Sequence, residues 1–310
     1  MKAAIWGVGN HAKKNLVPAL VQAENIDLVG VFTRNKDSIS QMISLYDCKT
    51  WDSSEEMLAD NDFDLIFLST PPGLHFRDGM RVLNSGKNLI CEKPITTNYE
   101  ETKSLLESAK KNNLFVFEAY MFLYHPHFLH IKKIIEEIED DICEIQLTFE
   151  LPKLENPGFR FNGALGGSCL YDVGSYTVLS LIELFQYENL LLENVSVTKD
   201  KKTNIDFSGS ASFLINDNIR STLKWSYNTK YINEIRIFTS DRQYYSEKIF
   251  SKEANYIPKI EIIEGNSIIT EYLEARNHFI SMLESLSEIT TSEKKRNFEF
   301  QKILISKITI

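Results

Sequence analysis

The amino-acid sequence predicts an α/β protein in which a doubly wound parallel sheet is followed by an α+β domain with a mostly antiparallel, open sheet. In the first third of the chain, short apolar runs alternate with helical stretches, which is the pattern of βαβ units. Between residues 195 and 272 strand-like runs predominate, separated by Asn, Asp, Gly and Ser turns. A chain of 310 residues that is 43% hydrophobic accommodates two domains. We place them at residues 1–120 and 121–310.

The elements of the first domain follow in order. Its strands are predicted from apolar runs typical of a sheet that is buried on both faces, and its helices from turn or N-cap residues followed by helical periodicity. Strands are expected at residues 3–6, 28–32, 65–69, 89–91 and 115–117, and helices at residues 11–23, 38–45, 53–59 and 98–111. We take Ser38, Ser53 and Asn98 as helix-starting residues.

The second domain mixes helices with half-buried strands. Amphipathic periodicity predicts helices at residues 126–139, 174–185 and 271–286, with another helix toward the C-terminus. Alternating or apolar runs predict strands at residues 142–150, 208–215, 219–227, 234–240 and 257–264. We therefore expect terminal helices to pack back on an antiparallel sheet.

Charge and hydropathy exclude several classes of partner. The net charge of −9 argues against a nucleic-acid ligand, because such proteins usually present a basic face to phosphates. No apolar run approaches 18 residues, and the N-terminus enters a strand without the segments of a signal peptide. We expect a cytoplasmic protein without a membrane partner.

Cysteines and histidines give no metal signature. The histidine cluster lacks a neighbouring Asp, Glu or Cys that would complete a ligand set, so we interpret it as hydrogen-bonded or partly exposed side chains. The cysteines show no CxxC spacing and are expected to be small buried residues. These residues are His125, His127 and His130, and Cys48, Cys91, Cys143 and Cys169.

A glycine-rich loop follows the first strand and has the GxGxxA form. Its first glycine is expected to make a tight turn, its second to let the backbone approach a pyrophosphate, and Ala12 to allow close packing of helix on strand. Because the loop lies between a strand and a helix, it predicts the dinucleotide site of a Rossmann domain. The cofactor-binding residues of this loop are Gly7, Val8, Gly9, Asn10 and His11.

The end of the second strand bears on the choice of cofactor. NAD-specific sites usually place Asp or Glu here for the adenosine ribose, whereas this chain has Thr33 and Arg34. A hydroxyl and a guanidinium suit a 2′-phosphate, so we favour NADP over NAD. The alternative is that Arg34 is a solvated loop residue and that both cofactors bind.

A proline turn follows the next internal strand. It is expected to shape the floor under a nicotinamide ring, and His75 to approach the ribose or the pyrophosphate, although such a turn also serves simply to join strand to helix. The residues assigned to this part of the cofactor site are Ser69, Thr70, Pro71, Pro72 and His75.

The strand after that ends in Glu92, Lys93 and Pro94. Open α/β sheets bind ligands beyond the carboxyl ends of their strands, so Lys93 is expected beside the reacting groups. We include Glu92 and Lys93 in the cofactor site.

Together these segments resemble the glucose-fructose oxidoreductase, inositol dehydrogenase and MocA family. The resemblance covers nearly the whole chain and implies a Rossmann domain, together with a second domain whose open sheet covers the active site and mediates dimer or tetramer contacts. The matching motifs are Gly7–Ala12, Ser69–His75, Ser85–Pro94, Glu118–Met121 with His125–Pro126, and Gly166–Tyr176.

The resemblance also implies catalytic roles for Lys93, Asp172 and Tyr176. In such enzymes the lysine hydrogen-bonds the reacting oxygen, while the aspartate and a His or Tyr four residues later contribute from the other domain. A free tyrosine has a pKa near 10, so a neighbouring cation is needed for it to shuttle a proton near neutrality. Arg160 is a second cation that we assign to the cofactor or the substrate; the alternative is that it is a surface residue.

The predicted function is NAD(P)-dependent hydride transfer to or from a secondary alcohol or ketone of a sugar or nucleotide-linked sugar. With Tyr176 at this position, the chain resembles the branch that includes dihydrodiol dehydrogenases and sugar-nucleotide ketoreductases. A non-sugar diol is therefore an alternative substrate. A non-catalytic dinucleotide sensor on this fold is another alternative, and an NAD-dependent glycosidase is less favoured. One departure is Leu123, because similar enzymes usually carry arginine two residues before the His-Pro.

Overall fold

The fold is described from a computed structural model, which describes residues 1–227 and 229–288. The chain divides into two compact units. The first unit is Met1–Tyr120 together with the segment that starts at Phe279, and the second unit is Met121–His278. Within the first unit, the Asn25 amide donates a hydrogen bond to the Leu283 carbonyl at 2.7 Å, which ties the later segment to this unit.

The first unit contains a six-stranded sheet in the order β3-β2-β1-β4-β5-β6, and every neighbouring pair is parallel. This order is that of a doubly wound sheet, and it confirms the predicted fold class. It also places the topological switch point between β1 and β4, which is where such sheets bind ligands. The strands are β1 (Lys2–Trp6), β2 (Asp27–Phe32), β3 (Lys49–Thr50), β4 (Leu65–Leu68), β5 (Asn88–Glu92) and β6 (Val116–Ala119).

Helices connect these strands, and two of them start from the predicted cap residues. The Ser53 hydroxyl accepts the Glu56 N–H, and the Asn98 side chain accepts those of Glu100 and Glu101. The cap at Ser38 is wrong: the helix starts two residues earlier, because the Asn35 side chain accepts the Ser38 N–H at 3.1 Å. The helices are α1 (Val17–Gln22), α2 (Lys36–Tyr46), α3 (Ser54–Ala59), α4 (Pro72–Asn84) and α5 (Tyr99–Lys111).

The second unit contains an eight-stranded sheet in the order β14-β13-β12-β11-β7-β10-β9-β8. The neighbours β7 and β10 are parallel and the other pairs are antiparallel, so the predicted mostly antiparallel sheet is confirmed. The strands are β7 (Ile142–Glu150), β8 (Leu190–Lys199), β9 (Asp206–Ile215), β10 (Ile219–Ser226), β11 (Ile232–Thr239), β12 (Gln243–Glu247), β13 (Lys259–Glu264) and β14 (Ser267–Tyr272).

Two helices of the second unit, α6 (Pro126–Ile138) and α7 (Ser175–Phe185), supply apolar side chains to its core. Leu147 on β7 is paired with Ile235 on β11, so both side chains point to one face of the sheet. Phe149 on the same face packs against Tyr176 of α7. A buried helix on one sheet face gives this unit its core.

Two expectations for the second half of the chain differ from the structure, and a third is not tested by it. The helix expected at residues 271–286 is wrong over its first half, because Ser267–Tyr272 forms β14 against β13 and helix α8 (His278–Glu284) begins only later. The further helix toward the C-terminus lies outside the described residues. Cys143 is exposed, whereas Cys48, Cys91 and Cys169 are buried as expected.

Candidate active site

The turn after β1 requires glycine at its first position. Gly7 has a φ of +102°, and a Cβ built on it would lie 2.6 Å from the Ser69 carbonyl oxygen at the end of β4. The Gly7 N–H donates to the Phe32 carbonyl at 2.8 Å, at the end of β2. Gly7 therefore joins the ends of three neighbouring strands at the switch point of the sheet.

The second glycine of the loop faces open space. A Cβ on Gly9 would meet no atom within 4 Å, and the helical turn that follows starts when the Lys13 N–H donates to the Gly9 carbonyl at 3.0 Å. Val8 is buried at 3% exposure, so the backbone is the part of this residue that can reach a ligand. The side chains of Asn10 and His11 are exposed. Open backbone at a helix start fits a dinucleotide pyrophosphate.

The end of β2 carries the pair expected to select the cofactor. Thr33 is half-buried and its hydroxyl accepts the Asn35 N–H at 3.4 Å, while Arg34 is exposed. Because Gly7 is bonded to Phe32, Arg34 lies two residues beyond the strand end that borders the glycine loop. An exposed guanidinium at this edge is able to receive a phosphate.

The proline turn after β4 is held at both ends. The Ser69 N–H donates to the Trp6 carbonyl at 2.8 Å, and the Thr70 hydroxyl donates to the buried Asp78 carboxylate at 3.4 Å. Pro71 precedes α4 and Pro72 is its first residue, a position where a missing N–H costs nothing. The turn therefore lies beside the glycine loop at the same sheet edge.

His75 does not take the role predicted for it. Its side chain is fully buried, and its ring nitrogens contact two backbone carbonyls: Nδ1 lies 2.8 Å from Pro94 O and Nε2 lies 2.6 Å from Thr70 O. Burial lowers the pKa of His75. With both nitrogens directed at the protein backbone, this side chain joins two loops and does not reach a ribose or a pyrophosphate.

Glu92 ends β5 beside the glycine loop. Its Oε1 lies 3.4 Å from His11 Nε2, and the Glu92 side chain is only 13% exposed. Burial by itself would raise the pKa of Glu92, but His11, Lys93 and His75 together hold it below its usual value. Glu92 is therefore an anion, stabilised in part by the neighbouring Lys93 ammonium.

Lys93 lies between two carboxyl groups of different character. It lowers the pKa of Glu92, and it also acts on Glu118 at the end of β6. Burial nevertheless raises the pKa of Glu118 to about 8, so this carboxyl is largely protonated at neutral pH. Its oxygen accepts the Ile95 N–H at 2.7 Å. A lysine at the end of β5 thus has an anionic and a neutral carboxyl nearby.

In the second unit Asp172 is engaged by two side chains. Its Oδ2 accepts a hydrogen bond from Arg160 Nε at 2.5 Å and another from the Tyr227 hydroxyl at 2.9 Å. Burial opposes the charge on Arg160, but Asp172 outweighs this and raises its pKa. Burial, followed by Asp172, raises the pKa of Tyr227 far above its usual value, so Tyr227 remains a donor.

The glycine-rich segment before Tyr176 is shaped by Trp225. A Cβ on Gly174 would lie 2.8 Å from the Trp225 ring, and one on Gly209 would lie 2.4 Å from it. The Leu170 N–H donates to the Asp206 carboxylate at 2.6 Å. Leu170–Gly174 forms a π-helical stretch directly before α7, as Ala12–Leu16 does after the glycine loop, and such stretches are frequent at functional sites.

The Tyr176 ring is packed into an aromatic cluster. Its centroid lies 5.4 Å from Phe122, 5.3 Å from Phe149 and 5.9 Å from Phe250. The Tyr176 hydroxyl lies 3.7 Å from the Met121 sulfur, and the side chain is 5% exposed. Three ring contacts leave this side chain little rotational freedom, which is what a positioned proton donor requires.

The histidines near α6 contact backbone or side-chain groups of the protein. His125 accepts the His127 N–H at 3.0 Å as the N-cap of α6, and its Nε2 contacts the Arg276 carbonyl at 3.0 Å. Burial lowers the pKa of His125 to about 4. Among the described residues no group of three His, Cys, Asp or Glu side chains is arranged to hold a metal ion. Leu123 is buried in the second unit at 6% exposure.

The structure groups the predicted residues into two sets. The first, at the carboxyl edge of the six-stranded sheet, holds the glycine loop, Thr33, Arg34, the proline turn, Glu92 and Lys93. The second unit holds Arg160, Asp172 and Tyr176. Sequence reasoning missed Tyr227, which carries no local signal, and left Glu118 without a role, although its place after β6 at the same sheet edge was a usable signal.

No described helix has the length and apolar character needed to cross a membrane. A family model described as an oxidoreductase family with an NAD-binding Rossmann fold matches residues 1–120. The dTDP-3,4-didehydro-2,6-dideoxy-alpha-D-glucose 3-reductase of Saccharopolyspora spinosa is 22% identical over 272 residues, covering 87% of this chain and 81% of that protein.

Two solved structures share the fold over nearly the entire chain. KijD10, a 3-ketoreductase from Actinomadura kijaniata in complex with NADP and TDP-benzene, has a TM-score of 0.94 at 18% identity, covering 100% of this chain and 97% of that one. An aldose-aldose oxidoreductase from Caulobacter crescentus, complexed with glycerol, has a TM-score of 0.86 at 16% identity, covering 99% and 96%. The family match covers residues 1–120, so this part of the chain resembles the oxidoreductase family with an NAD-binding Rossmann fold.

Proposed function

We propose that this protein is an NADP-dependent oxidoreductase that transfers a hydride between the nicotinamide and a secondary alcohol or ketone of a sugar or nucleotide-linked sugar. The observation that carries the proposal is the sheet edge of the first unit, where Gly7 requires a positive φ, Gly9 faces open space and Lys93 ends a nearby strand. Glycine turns of this kind bind dinucleotides, and a lysine beside them is suited to a reacting oxygen.

NADP is the cofactor favoured by the end of β2. Residues 33–35 of this chain are Thr, Arg and Asn, so no carboxylate is present to repel a 2′-phosphate. The exposed Arg34 supports phosphate binding. KijD10, which shares the fold, was solved with NADP.

Bound NADPH would supply the hydride for reduction of a ketone. Negative charge then develops on the substrate oxygen, and an ammonium such as Lys93 stabilises it. Tyr176 donates the proton that completes the alcohol, and in the oxidative direction it accepts that proton again. The aromatic contacts of Tyr176 support this role because they restrict the position of its hydroxyl.

We assign Asp172 a supporting role. Its Oδ2 accepts hydrogen bonds from Arg160 and Tyr227, so this carboxylate is already engaged within the second unit. Arg160 donates to Asp172 through Nε, so its two terminal nitrogens are not part of that hydrogen bond. Its side chain is 32% exposed. A guanidinium held in this way favours an anionic group on the substrate or cofactor.

The substrate class is a sugar, and we favour a nucleotide-linked one. The Saccharopolyspora spinosa relative is named as a reductase of a dTDP-linked keto sugar, and KijD10 was solved with TDP-benzene. The net charge of −9 disfavours polyanionic macromolecules but leaves room for a small diphosphate at a local cation.

The test is NADPH oxidation by the purified protein with a panel of keto sugars, free and dTDP-linked, and with a dihydrodiol in the oxidative direction. Turnover of a keto sugar supports the proposal, and turnover of the diol alone redirects it to the non-sugar class. Tight NADP binding without turnover of any compound would identify a non-catalytic cofactor-binding protein instead.

Assembly and location are separate proposals. We propose a homodimer or homotetramer formed through the eight-stranded sheet, whose edge strand β14 exposes Ile268, Ile269 and Tyr272 at 62%, 63% and 72%. Light scattering of the purified protein, and of a variant carrying Ile268→Lys and Ile269→Lys, tests this interface. The cytoplasmic location expected from the sequence stays a prediction.

A further inference from the structure

Three backbone groups directly after Lys93 are held by buried side chains. His75 Nδ1 contacts the Pro94 carbonyl at 2.8 Å, the Glu118 carboxyl accepts the Ile95 N–H at 2.7 Å, and the Cys91 thiol donates to the Ile95 carbonyl at 3.8 Å. His75, Glu118 and Cys91 are 0%, 5% and 0% exposed. We call His75 and Glu118 the Lys93 clamp.

The side chains of the clamp come from elements that differ from the loop they hold. His75 belongs to α4 and Glu118 to β6, while Lys93 follows β5. Before Lys93, Glu92 is paired with Ala119 in the sheet. The Lys93 backbone is therefore fixed by sheet pairing on one side and by the clamp on the other.

His75 extends the clamp to a second loop. Its Nε2 lies 2.6 Å from the Thr70 carbonyl in the proline turn. A neutral imidazole carries one N–H, so it donates to one of the two carbonyls at a time and to both only when protonated. The buried ring therefore lies between the proline turn after β4 and the lysine turn after β5, in contact with both.

The buried carboxyl of Glu118 lowers stability at neutral or higher pH. It must either stay protonated or ionise with a large unfavourable desolvation free energy. A glutamine would accept the same Ile95 N–H without ionising, and an apolar residue would leave that N–H unpaired. The Glu118 side chain is both a hydrogen-bond acceptor and an acid. Substitution by Gln removes only the acid, and substitution by an apolar residue removes both.

We propose that Glu118 and His75 are positioning residues that fix the loop of Lys93 and thereby direct its ammonium to the reacting oxygen. This inference rests on the proposed function of Lys93. Misplacing a catalytic group by about 1 Å can cost on the order of 100-fold in rate without changing cofactor affinity, which is the expected signature of a clamp.

The experiment compares Glu118→Leu with Glu118→Gln. Amide hydrogen exchange of the peptide containing Ile95 is measured first, because it reports the clamp without any need for turnover. Glu118→Leu removes the acceptor and should lower the protection of the Ile95 amide on the order of 100-fold. Glu118→Gln keeps an acceptor and should retain the protection. Unchanged protection in Glu118→Leu overturns the clamp.

Turnover is the second readout. We expect Glu118→Leu to lower kcat by about 10- to 100-fold with NADPH affinity within about 3-fold, and Glu118→Gln to restore most of the rate. His75→Phe should lower kcat and also raise the KM for NADPH, because it releases the Thr70 turn as well. Lost protection with an unchanged kcat in Glu118→Leu would refute the positioning role.

The controls separate this inference from the proposed function. Lys87→Met removes another buried polar side chain of the first unit, one that contacts the Asp60 and Phe63 carbonyls, and should leave kcat and Ile95 protection unchanged. If wild-type protein turns over no keto sugar, the proposed function fails while the exchange result still decides the clamp. If Glu118→Leu does not fold, His75→Phe removes the contact to the Pro94 carbonyl instead, and exchange of the neighbouring Ile95 amide together with kcat supplies the comparison.

Discussion

Replacing Glu118 by Gln should raise the free energy of unfolding relative to the wild type, and this difference should grow as the pH rises. Burial raises the pKa of Glu118 from its ordinary value of 4.5 to about 8. The folded protein therefore binds this proton more tightly than the unfolded chain does. The stability it contributes is fully present below pH 4.5 and is lost as the pH rises through the window up to about 8.

The magnitude follows from that window. Each pH unit between the unfolded and folded pKa values costs the wild type about 1.4 kcal/mol of unfolding free energy, which sums to at most about 5 kcal/mol. We expect about 2–4 kcal/mol, because local rearrangement hydrates part of a buried charge. Any cost of fitting the extra amide N–H groups of Gln is independent of pH, so the slope is the quantity to test.

The assay is urea unfolding at pH 5 to 9. Pulsed hydrogen exchange of peptides from β4 and β5 detects the unfolding, so that the first unit is monitored separately from the second. Asp60→Asn is the matched control. The Lys49 ammonium, the Asp62 N–H and the Trp51 indole hold the pKa of Asp60 at about 2, so its effect should be constant over this range. A difference between Glu118→Gln and wild type that is also constant from pH 5 to 9 would refute the reasoning.

Four other substitutions test the site. Lys93→Met should abolish keto-sugar turnover while fluorescence still detects NADPH binding; loss of binding would contradict this. Tyr176→Phe should lower kcat by about 100-fold or more, and an unchanged rate would rule out its role as proton donor. Arg34→Ala should raise the KM for NADPH about 10- to 100-fold but that for NADH less than about 2-fold, and equal effects would reject the phosphate contact. Tyr227→Phe should destabilise the second unit in urea by about 1.5–3 kcal/mol, whereas Tyr231→Phe, at an exposed ring, should have a much smaller effect.

Much of the first unit could be predicted because its signals are local. The glycine loop works through the φ of Gly7 and the open space at Gly9, and both depend on residue type more than on distant contacts. Helix caps were assigned correctly at Ser53 and Asn98. The cap at Ser38 failed because Asn35, three residues earlier, accepts the Ser38 N–H and caps the helix there.

The errors concern strands of the eight-stranded sheet. Helical periodicity predicted a helix from residue 271, but pairing of Ile260 with Glu271 and of Lys259 with Tyr272 places the first two of those residues in a strand. Sheet pairing overrides local propensity when the partner strand satisfies the backbone groups. Cys143 was expected to be buried, but its place on β7 leaves it on the exposed face.

The sequence by itself determined the fold class, the dinucleotide loop and the lysine at the end of β5, because each depends on periodicity or on a short motif at a strand end. Only the tertiary structure decided which groups those residues contact. It turned His75 from a cofactor ligand into a link between two loops, gave Asp172 the partners Arg160 and Tyr227, and buried Glu118 beside Lys93. Such contacts join residues up to 55 positions apart, and their energies depend on burial, which no local pattern encodes.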